Sequence, residues 1–401
     1  MASVAEPPAA APPTAAPPAP QLPSFKGRPG WEFTDISELN LAAYRPLGDG
    51  DAETSGFAPL FELPEPPVRP DRVIVTSFER ALRQHGALVR AHLGSLIAAD
   101  DVFVALNDAS QRRGAFVYVP PGVTVAEPIS LATIQPTDGT LCNQRTLVVL
   151  EEGAHAEVWE QFLSGAERLD GVFNAVTELI VGDGASLRYV CGQALSEQSW
   201  MFGAQRAQVG RDASLDWVAL GFGSRNGRVR METRLTGQGA GARVTGAYAT
   251  AGRQHIDFDT TQEHAAPNTT SDLAFRGVLE GRSSAVWKGN IIVDPGAQKT
   301  DAFQESRNLL LSKRAHADAI PGLEIQANDV RCTHAAAIAQ VDPDQVFYLR
   351  SRGLPVDQAN RLVVEGFLAA LVERFEQGPV RDVLAGALER RLARVLSASD
   401  S

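Results

Sequence analysis

The main pattern along this chain is a β-rich middle region in which small turn residues recur at regular intervals. After Phe103, short runs of alternating polar and apolar residues are separated by pairs such as Gly-Ala and Asp-Ala. Four of these pairs start at Gly153, Gly184, Asp212 and Gly241, at spacings of 31, 28 and 29 residues. A unit of this kind cannot bury its own apolar face, so its repetition predicts stacked coils, as in a parallel β-helix or a similar solenoid. A two-sheet sandwich is the alternative, because it also has regularly spaced turns.

The segments that follow three of these turns resemble one another. Each passes from an alanine through alternating positions to a neighbouring aromatic residue and valine, in residues 154–159, 185–190 and 213–218. The charged residues within them, Glu157, Arg188 and Asp216, fall on one side of the alternation. We expect these three residues on the solvated outer face of the solenoid.

Helical periodicity flanks the β-rich region on both sides. Between Ser77 and Asp101, apolar residues are spaced as in one or two amphipathic helices. After Phe347, apolar residues recur at steps of three and four in two segments, which are separated by Gly378-Pro379. Both flanks of the β-rich region are therefore predicted to be helical.

The composition of the N-terminus completes the predicted organisation. Residues 1–24 are almost wholly Ala and Pro, which cannot bury enough side chain to offset the entropy of ordering. We expect a disordered tail at residues 1–24, an N-terminal helical region at 25–102, a β core at 103–340 and a C-terminal helical region at 341–401.

Charge and cysteine content narrow the classes of function. A formal net charge of −11 argues against a nucleic-acid surface, which would need a basic stripe. Three cysteines without a CxxC pair suit a reducing compartment better than a disulfide framework. No apolar run approaches the ~20 residues of a membrane span, and no secretory signal is recognisable. We expect a soluble, cytoplasmic protein that binds neither nucleic acid nor membrane.

The first candidate for chemistry is the pair Cys332 and His334. If this part of the chain is extended, the two side chains point to the same face, because side chains alternate along a strand. A thiolate sulfur and an imidazole nitrogen could together hold iron, copper or zinc. Two ligands do not complete a metal site, so the others would come from elsewhere in the fold or from another chain. The alternative is a small buried cysteine beside a structural histidine.

A second concentration of polar residues is the strip His255–His264. On an extended strand His255, Asp257 and Asp259 share one face, which could bind a metal or position an acid–base pair. The alternative, which we favour, is a hydrophilic outer strip that alternates with buried apolar residues. His316, which has an aspartate two residues further on, is a weaker candidate of the same kind.

Several segments, taken together, resemble the SufB/SufD family of iron–sulfur cluster assembly proteins. They are residues 30–35 (GWEFTD), 105–109 (ALNDA), 119–122 (VPPG), 264–269 (HAAPNT), 300–304 (TDAFQ), 308–312 (NLLLS) and 347–353 (FYLRSRG). The resemblance implies a mainly β fold, a right-handed parallel β-helix core flanked by N-terminal and C-terminal α-helical regions.

Within this family the sequence resembles the SufD type more than the SufB type. SufD-type chains carry a Cys-x-His like Cys332-Thr333-His334, whereas SufB-type chains carry a cysteine in the segment before a proline. Here that cysteine position corresponds to Ala315, ahead of Pro321. The resemblance implies that His334 faces SufB across a heterodimer and takes part in building the nascent cluster, with Cys332 as its companion. Three alanines follow His334, where the family usually has Gly-Ala-Thr.

The function that the resemblance implies is that of a non-catalytic scaffold subunit in the SUF system. Such a chain pairs with SufB through the β-helix core and binds the SufC ATPase through the C-terminal helices, in residues roughly 345–395. The metal is transient iron, or a nascent iron–sulfur cluster shared with SufB. Because the chain has no GxxxxGK[ST] motif, we expect it to bind no ATP itself. The resemblance does not specify whether a flavin takes part or what donates iron and sulfur.

Two other functions are alternative hypotheses. The chain could act as SufB itself or as a SufB-like homodimer, although Ala315 removes the expected cysteine. A β-helix enzyme that acts on polysaccharide would share the architecture, but fold does not determine function and such enzymes usually work outside the cell.

Overall fold

The structure is a computed structural model, which describes residues 22, 30–48, 59–60, 72–98, 101–110 and 113–397. The predicted tail at residues 1–24 lies outside these ranges, apart from Leu22. None of the helices within the described ranges is long and apolar enough to cross a membrane.

The β-rich region forms two sheets that share one core. Sheet 1 consists of β1 (Arg45–Pro46), β2 (Ile74–Ser77), β3 (Arg113–Val119), β5 (Thr140–Leu150), β7 (Gly171–Val181), β9 (Trp200–Val209), β11 (Asn226–Leu235), β13 (His255–His264), β15 (Ser284–Val293) and β17 (His316–Ile325). Sheet 2 consists of β4 (Ile129–Gln135), β6 (His155–Ser164), β8 (Ser186–Ala194), β10 (Ser214–Gly221), β12 (Gly241–Thr250), β14 (Thr270–Leu279), β16 (Asp301–Leu310) and β18 (Arg331–Gln340).

From β3 onward the strands alternate between the two sheets, so each full coil contributes one strand to each sheet. Neighbouring strands pair in parallel and in register; for example, Ser214 lies beside both Ser186 and Gly241. Among the described strands only β2 pairs antiparallel, with β3. The eight described strands of sheet 2 correspond to about eight coils. This arrangement is a β-solenoid, which confirms the predicted fold and excludes a sandwich of antiparallel hairpins.

One edge of the solenoid is a ladder of turns with the same backbone conformation. A residue with φ between 53° and 75° stands at the same place in successive coils: Gly122, Gly153, Gly184, Asp212, Gly239, Asn268 and Lys299. Its N–H donates to a carbonyl oxygen of the next coil, as from Gly153 to Asp183 (2.8 Å) and from Gly184 to Arg211 (2.7 Å). Positive φ favours glycine and, less strongly, aspartate and asparagine, which explains the recurring Gly-Ala and Asp-Ala pairs.

The structure shifts one predicted turn by two residues. The sequence repeat places the fourth turn at Gly241-Ala242, whereas the residue with positive φ is Gly239, and Gly241 begins β12. The local sequence Gly-Gln-Gly-Ala-Gly-Ala contains two similar pairs, and only pairing with the neighbouring coils distinguishes them. Because side chains alternate with a period of two, this shift leaves the inward and outward faces as predicted.

Apolar and aromatic side chains fill the space between the sheets. Tyr189 and Trp217 are neighbours in register, both completely buried, with ring centroids 6.0 Å apart. In the first of the three similar segments the order is reversed: Val158 aligns with Tyr189, and Trp159 aligns with Val190 on the outer face. Burial of each large apolar side chain stabilises the fold by about 1.5–3 kcal/mol.

The charged residues of these segments face outward, as predicted, but they form a ladder of ion pairs. Arg188 lies 3.2 Å from Glu157 and 2.9 Å from Asp216, and Asp216 lies 2.6 Å from Arg243 in the next coil. Their side chains are between 16% and 40% exposed, so the ladder is only partly solvated.

The N-terminal region covers the outer face of sheet 1. It contains a 3-10 helix (Leu41–Ala43), α1 (Phe78–Gln84), α2 (Gly86–His92) and α3 (Val102–Ala109). α1 and α2 lie between Ser77 and Asp101, where one or two helices are predicted. The predicted start of the β core at residue 103 falls within α3, which Asp101 caps by accepting the N–H of Phe103 at 2.8 Å. The next strand of the core, β3, therefore begins only at Arg113.

The C-terminal region forms α4 (Pro343–Ser351), α5 (Val356–Val372) and α6 (Pro379–Ser397), and its helical character agrees with the prediction. α5 and α6 pack on the outer face of sheet 2, where Val364 and Leu388 join a cluster with Val190 and Val218. α4, by contrast, has no buried residue. The region thus combines two packed helices with one exposed helix.

Candidate interface site at the open end of the solenoid

The solenoid ends in β17 of sheet 1 and β18 of sheet 2, whose outer edges pair with no described strand. An edge strand presents unpaired backbone N–H and C=O groups, on which another chain can continue the sheet. Three large apolar side chains are exposed here: Ile320 (37%), Ile325 (43%) and Ile338 (45%). Most of β18 is exposed, so nothing in the described part of the chain covers this end.

Cys332 and His334 lie on β18 and share one face, as the alternation predicted. In register they stand beside Ala302 and Gln304 of β16, both of which are buried inside the solenoid. Cys332 is half-buried and packs against the small apolar cluster that includes Val293. His334 is exposed and makes no hydrogen bond or ion pair with any described residue. The pair therefore stands at the inner rim of the open end.

These two side chains do not make a metal site by themselves. Among the described residues, no group of three or more His, Cys, Asp or Glu side chains could hold a metal ion. Partial burial, together with the nearby carboxylate of Asp301, raises the pKa of the Cys332 thiol, so this thiol stays protonated at neutral pH. What the chain presents at the rim is an imidazole and a protonated thiol, which alone are too few groups to hold a metal ion.

At the position that the resemblance assigns to the cysteine of SufB-type chains, the structure has a buried alanine. Ala315 is 8% exposed and immediately precedes β17, on which Pro321 pairs with Gly289 of β15. The other two cysteines, Cys142 and Cys191, are buried inside the solenoid, and burial raises the pKa of both thiols. Neither of them belongs to the open end.

The polar strip that begins at His255 docks the N-terminal segment. His255, Asp257 and Asp259 do share one face of β13, the outer one, but this face is covered. Thr34 Oγ1 donates a hydrogen bond of 2.6 Å to Asp257, and Arg228 lies 3.6 Å from Asp257 and 3.3 Å from Asp259. Burial lowers the pKa of His255 to about 4. The geometry supports the structural interpretation of this strip.

Two further histidines are also accounted for. His264 points inward, and its ring nitrogens lie 2.8 Å from Thr269 Oγ1 and 2.9 Å from Ser271 Oγ, so neither nitrogen is free for a metal. His316 Nε2 lies 3.2 Å from Asp318 Oδ2, and both side chains are exposed. This last pair lies on the outer face of β17, away from the inner rim.

A second exposed apolar surface follows directly on the open end. Phe347 (70% exposed) and Tyr348 (57%) are on α4, and Val356 (44%) and Leu362 (45%) are on α5. We call these four residues the α4–α5 patch. Only two residues separate the end of β18 from the start of α4. Exposed large apolar side chains grouped on neighbouring helices are typical of protein interaction surfaces.

Comparison with known protein families identifies the family to which the chain belongs. The family described as "SUF system FeS cluster assembly, SufBD core domain" matches residues 133–367, and "SufBD protein N-terminal region" matches residues 62–131. The chain belongs to the SufB/SufD family. The core match includes both candidate surfaces, the open end with Cys332 and His334 and the α4–α5 patch.

Individual members of the SufB/SufD family agree with this assignment. SufD of Bacillus subtilis is 33% identical over 324 residues, which cover 80% of this chain and 74% of that protein. An iron–sulfur cluster assembly SufBD family protein of Mycobacterium bovis is 30% identical, with 90% of this chain and 87% of the other covered. A family protein of Synechocystis is 25% identical, with 86% and 82% covered. The similarity to SufD matches the type that the Cys-x-His motif indicated.

Proposed function

We propose that this SufB/SufD family chain is a non-catalytic scaffold subunit of the SUF system, which pairs with SufB and binds the SufC ATPase. The observation that carries the proposal is the position of Cys332 and His334, an incomplete set of metal ligands at the open end of the solenoid. A partner that docks on this end would bring further ligands to the same rim. The likeness to the SufD type supports SufB as that partner.

The pairing surface is the open end itself. β17 and β18 offer free strand edges, and Ile320, Ile325 and Ile338 offer apolar area. Burial of apolar surface contributes about 25 cal/mol per Å² before the costs of association are subtracted. Docking at this end therefore satisfies backbone groups and removes exposed apolar surface together.

His334 is the ligand that the chain supplies to iron. A neutral imidazole coordinates a metal through one unprotonated nitrogen, and protonation abolishes this ability. Iron is here the cargo, held in passing either alone or within a nascent cluster shared with SufB. Cys332 would first have to lose the proton of a thiol whose pKa is raised, so it is the secondary ligand.

SufC docks on the C-terminal region, with the α4–α5 patch as its contact surface. The chain carries no P-loop, so ATP hydrolysis belongs to the partner. Because α4 follows β18 after two residues, a displacement of α4 by SufC is transmitted directly to the strand that carries His334. Through this connection, an ATP-driven movement of SufC can displace β18 at the pairing surface.

The test of the metal role is His334→Ala in the complex with SufB and SufC. We expect the complex to form with unchanged stoichiometry but to assemble no iron–sulfur cluster, as measured by iron and sulfide content after anaerobic purification. His316→Ala is the matched control, because His316 is an exposed histidine of the last coil on the outer face. Normal cluster content in the His334→Ala complex would refute this role.

Docking of SufC is tested by point variants of the patch. Removal of the C-terminal helices is unsuitable, because α5 and α6 cover a large apolar cluster on sheet 2. The double variant Phe347→Ala with Tyr348→Ala should weaken SufC binding while leaving SufB pairing intact. Phe33→Ala, an exposed aromatic position on the N-terminal segment, is the control. Undiminished SufC binding by the double variant would remove the assignment.

A SufB-like homodimer is the second candidate, because one chain already contains a complete free end on which a second copy could dock. Mass measurement of the complex isolated from its native source separates the two possibilities. A heterodimer with SufB supports the proposal, and a dimer of this chain alone replaces it.

A further inference from the structure

Three consecutive turns at one edge of the solenoid carry an arginine at the same position. These turns lead into β13, β15 and β17, and in each the fourth N–H donates to the first carbonyl oxygen at 3.1 or 3.2 Å. The third residues of the turns are Arg253, Arg282 and Arg314. Because β13, β15 and β17 pair in register, the backbones of these residues stack about 4.8 Å apart. We call the three residues the arginine row.

The arginine row has no anionic partner within the described part of the chain. All three side chains are exposed, and so is Lys313, which precedes Arg314. None of these four cations forms a side-chain hydrogen bond or an ion pair with a described residue. Asp318, on the strand that follows Arg314, instead lies 3.2 Å from His316. The row therefore presents unpaired positive charge to solvent.

A row of one sign differs from the ladder of ion pairs on the outer face of sheet 2. That ladder alternates in sign along successive coils, as Arg188 lies between Glu157 and Asp216. Like charges side by side on neighbouring strands are destabilising. Three stacked arginines without partners, in a chain whose formal net charge is −11, therefore indicate an anion that is supplied from outside.

An open cavity adjoins the first arginine of the row. Its volume is about 600 Å³, and Arg253 and Phe33 are among the residues that line it. Phe33 is 36% exposed, so an aromatic surface is accessible there. Of the three acidic residues in the wall, Glu38 and Glu197 are ion-paired with other arginines, and Asp35 accepts a backbone N–H. The cavity thus offers an apolar surface next to a guanidinium that is free to bind an anion.

We propose that the arginine row and this cavity form a docking site for an acidic segment of a partner protein. Carboxylates of the segment bind the arginines, each of which can pair with a carboxylate through two hydrogen bonds. A neighbouring apolar side chain of the segment enters the cavity beside Phe33. The first and third arginines are about 10 Å apart at the backbone, which is the length of about three residues of extended chain. The inference goes beyond the proposed function and does not depend on it.

Longer polyanions fit this site less well. A nucleic acid or an anionic membrane would extend past the arginine row onto a chain that is acidic in sum, with a formal net charge of −11. A nucleic-acid site with about six to ten phosphate contacts would also need a longer row than these four cations. A short acidic segment matches both the length and the charge of the site.

The test is fluorescence anisotropy of the full chain with a labelled peptide of one phenylalanine followed by four glutamates. The salt concentration is about 50 mM, at which exposed ion pairs are only weakly screened. We expect the parent to bind this peptide. The affinity should fall at least about tenfold in the triple variant Arg253→Gln, Arg282→Gln, Arg314→Gln. No binding by the parent would overturn the proposal.

A matched triple variant separates the arginine row from a general effect of charge. It removes the same charge from three exposed arginines that are ion-paired, as Arg83→Gln, Arg211→Gln, Arg307→Gln. This control should change the affinity by less than about twofold. Equal losses of affinity in the two triple variants would overturn the proposal.

A second peptide tests the cavity. Serine in place of the phenylalanine should weaken binding to the parent about tenfold, because the burial of an apolar side chain is lost. Equal affinity of the two peptides would overturn the site as proposed.

The fold of the variant and the class of partner are checked with the same proteins. Because the replaced arginines are exposed and unpaired, the thermal midpoint of their triple variant should be no lower than that of the parent. A lower midpoint would show that the arginines have partners in the folded chain and would overturn the proposal. So would binding of duplex DNA, or of vesicles rich in phosphatidylserine, that is tighter than binding of the peptide and is lost in this triple variant.

Discussion

The hydroxyl of Thr34 donates a hydrogen bond of 2.6 Å to Oδ2 of Asp257 on β13. The aspartate is only 3% exposed, because the N-terminal segment lies over it. Burial raises the pKa of Asp257 to about 6, against the opposing effects of Arg228 and of the hydrogen bond from Thr34. The polar strip on β13 is therefore a docking surface for the N-terminal segment. Because the pKa of Asp257 is raised there, the stability of the folded chain depends on pH.

Replacing Asp257 with asparagine should remove this pH dependence. A carboxyl group whose folded-state pKa lies above its ordinary value of 3.8 contributes stability below that value and loses it as the pH rises through about 6. The shift corresponds to a loss on the order of 3 kcal/mol between pH 4 and pH 7. Urea unfolding should show the parent losing stability relative to Asp257→Asn across this range. Asp259→Asn, whose side chain is 16% exposed, is the control. Equal pH slopes in the parent and in Asp257→Asn would contradict the prediction.

Inside the solenoid, Glu160 is completely buried and its hydrogen-bond partners are neutral. Thr146 Oγ1 lies 2.6 Å from one carboxyl oxygen, and the hydroxyl of Tyr189 donates to the other. Burial raises the pKa of this carboxyl, so folding favours its protonated form. The sign is the same as for Asp257: stability is lost as the pH rises through the folded-state pKa.

Glu160→Gln should therefore preserve or increase the free energy of unfolding near pH 7, and it should flatten the loss of stability with rising pH. Glu178→Gln is the contrast, because Glu178 is equally buried but pairs with Arg145 at 2.5 Å. Breaking that pair leaves the buried guanidinium of Arg145 with Asp108 as its remaining acidic partner among the described residues, and it should still cost about 3 kcal/mol. Denaturant unfolding at pH 5 and pH 8 measures both variants. Equal losses in the two variants would show that Glu160 is charged in the fold.

The fold was predictable from local sequence patterns, because each coil of a solenoid repeats the same turns and the same alternation of inward and outward residues. The turn at Gly153 and those stacked upon it need a residue that tolerates positive φ, and this need is visible as a period in the sequence. The two Gly-Ala pairs at Gly239 and Gly241 could not be distinguished from the sequence, since only the pairing between coils determines which of them forms the turn. α3 was missed for a similar reason: its buried residues Phe103 and Val104 suit a helix or a strand equally well, and packing decides.

The candidate site was predictable only in part. Cys332 and His334 stand out by residue type and spacing, and strand alternation correctly placed them on one face. Ile338 carried no such signal, because an isoleucine in a strand usually belongs to the core. It is 45% exposed only because β18 is the last described strand of its sheet, which is a property of the whole fold.

Arg391 fastens α6 to the solenoid. Although it is a charged residue, its side chain is only 8% exposed. It donates hydrogen bonds to the carbonyl oxygen of Ala249 (2.8 Å) and to Gln254 Oε1 (2.6 Å). It also forms an ion pair of 3.1 Å with Glu197. Arg391→Met should lower the free energy of unfolding by about 3 kcal/mol, because buried acceptors lose their donor. Arg394→Met, at an exposed position of the same helix, should change it by no more than about 0.5 kcal/mol. Similar losses in both variants would mean that α6 is held by its apolar face alone.

Ile338→Asp tests whether the open end is the pairing surface for SufB. In the chain alone this side chain is 45% exposed, so the free energy of unfolding should change by less than about 1 kcal/mol. In the pair, a carboxylate would be buried without a partner beside the edge of β18, and affinity for SufB should fall at least about tenfold, or ~1.4 kcal/mol. Leu362→Asp is the matched control, since Leu362 is also 45% exposed but lies on α5. Binding of SufB to both variants, measured by sedimentation or surface plasmon resonance, separates the two surfaces. Unchanged affinity in Ile338→Asp would place SufB elsewhere on the solenoid and leave the rim at His334 without its partner.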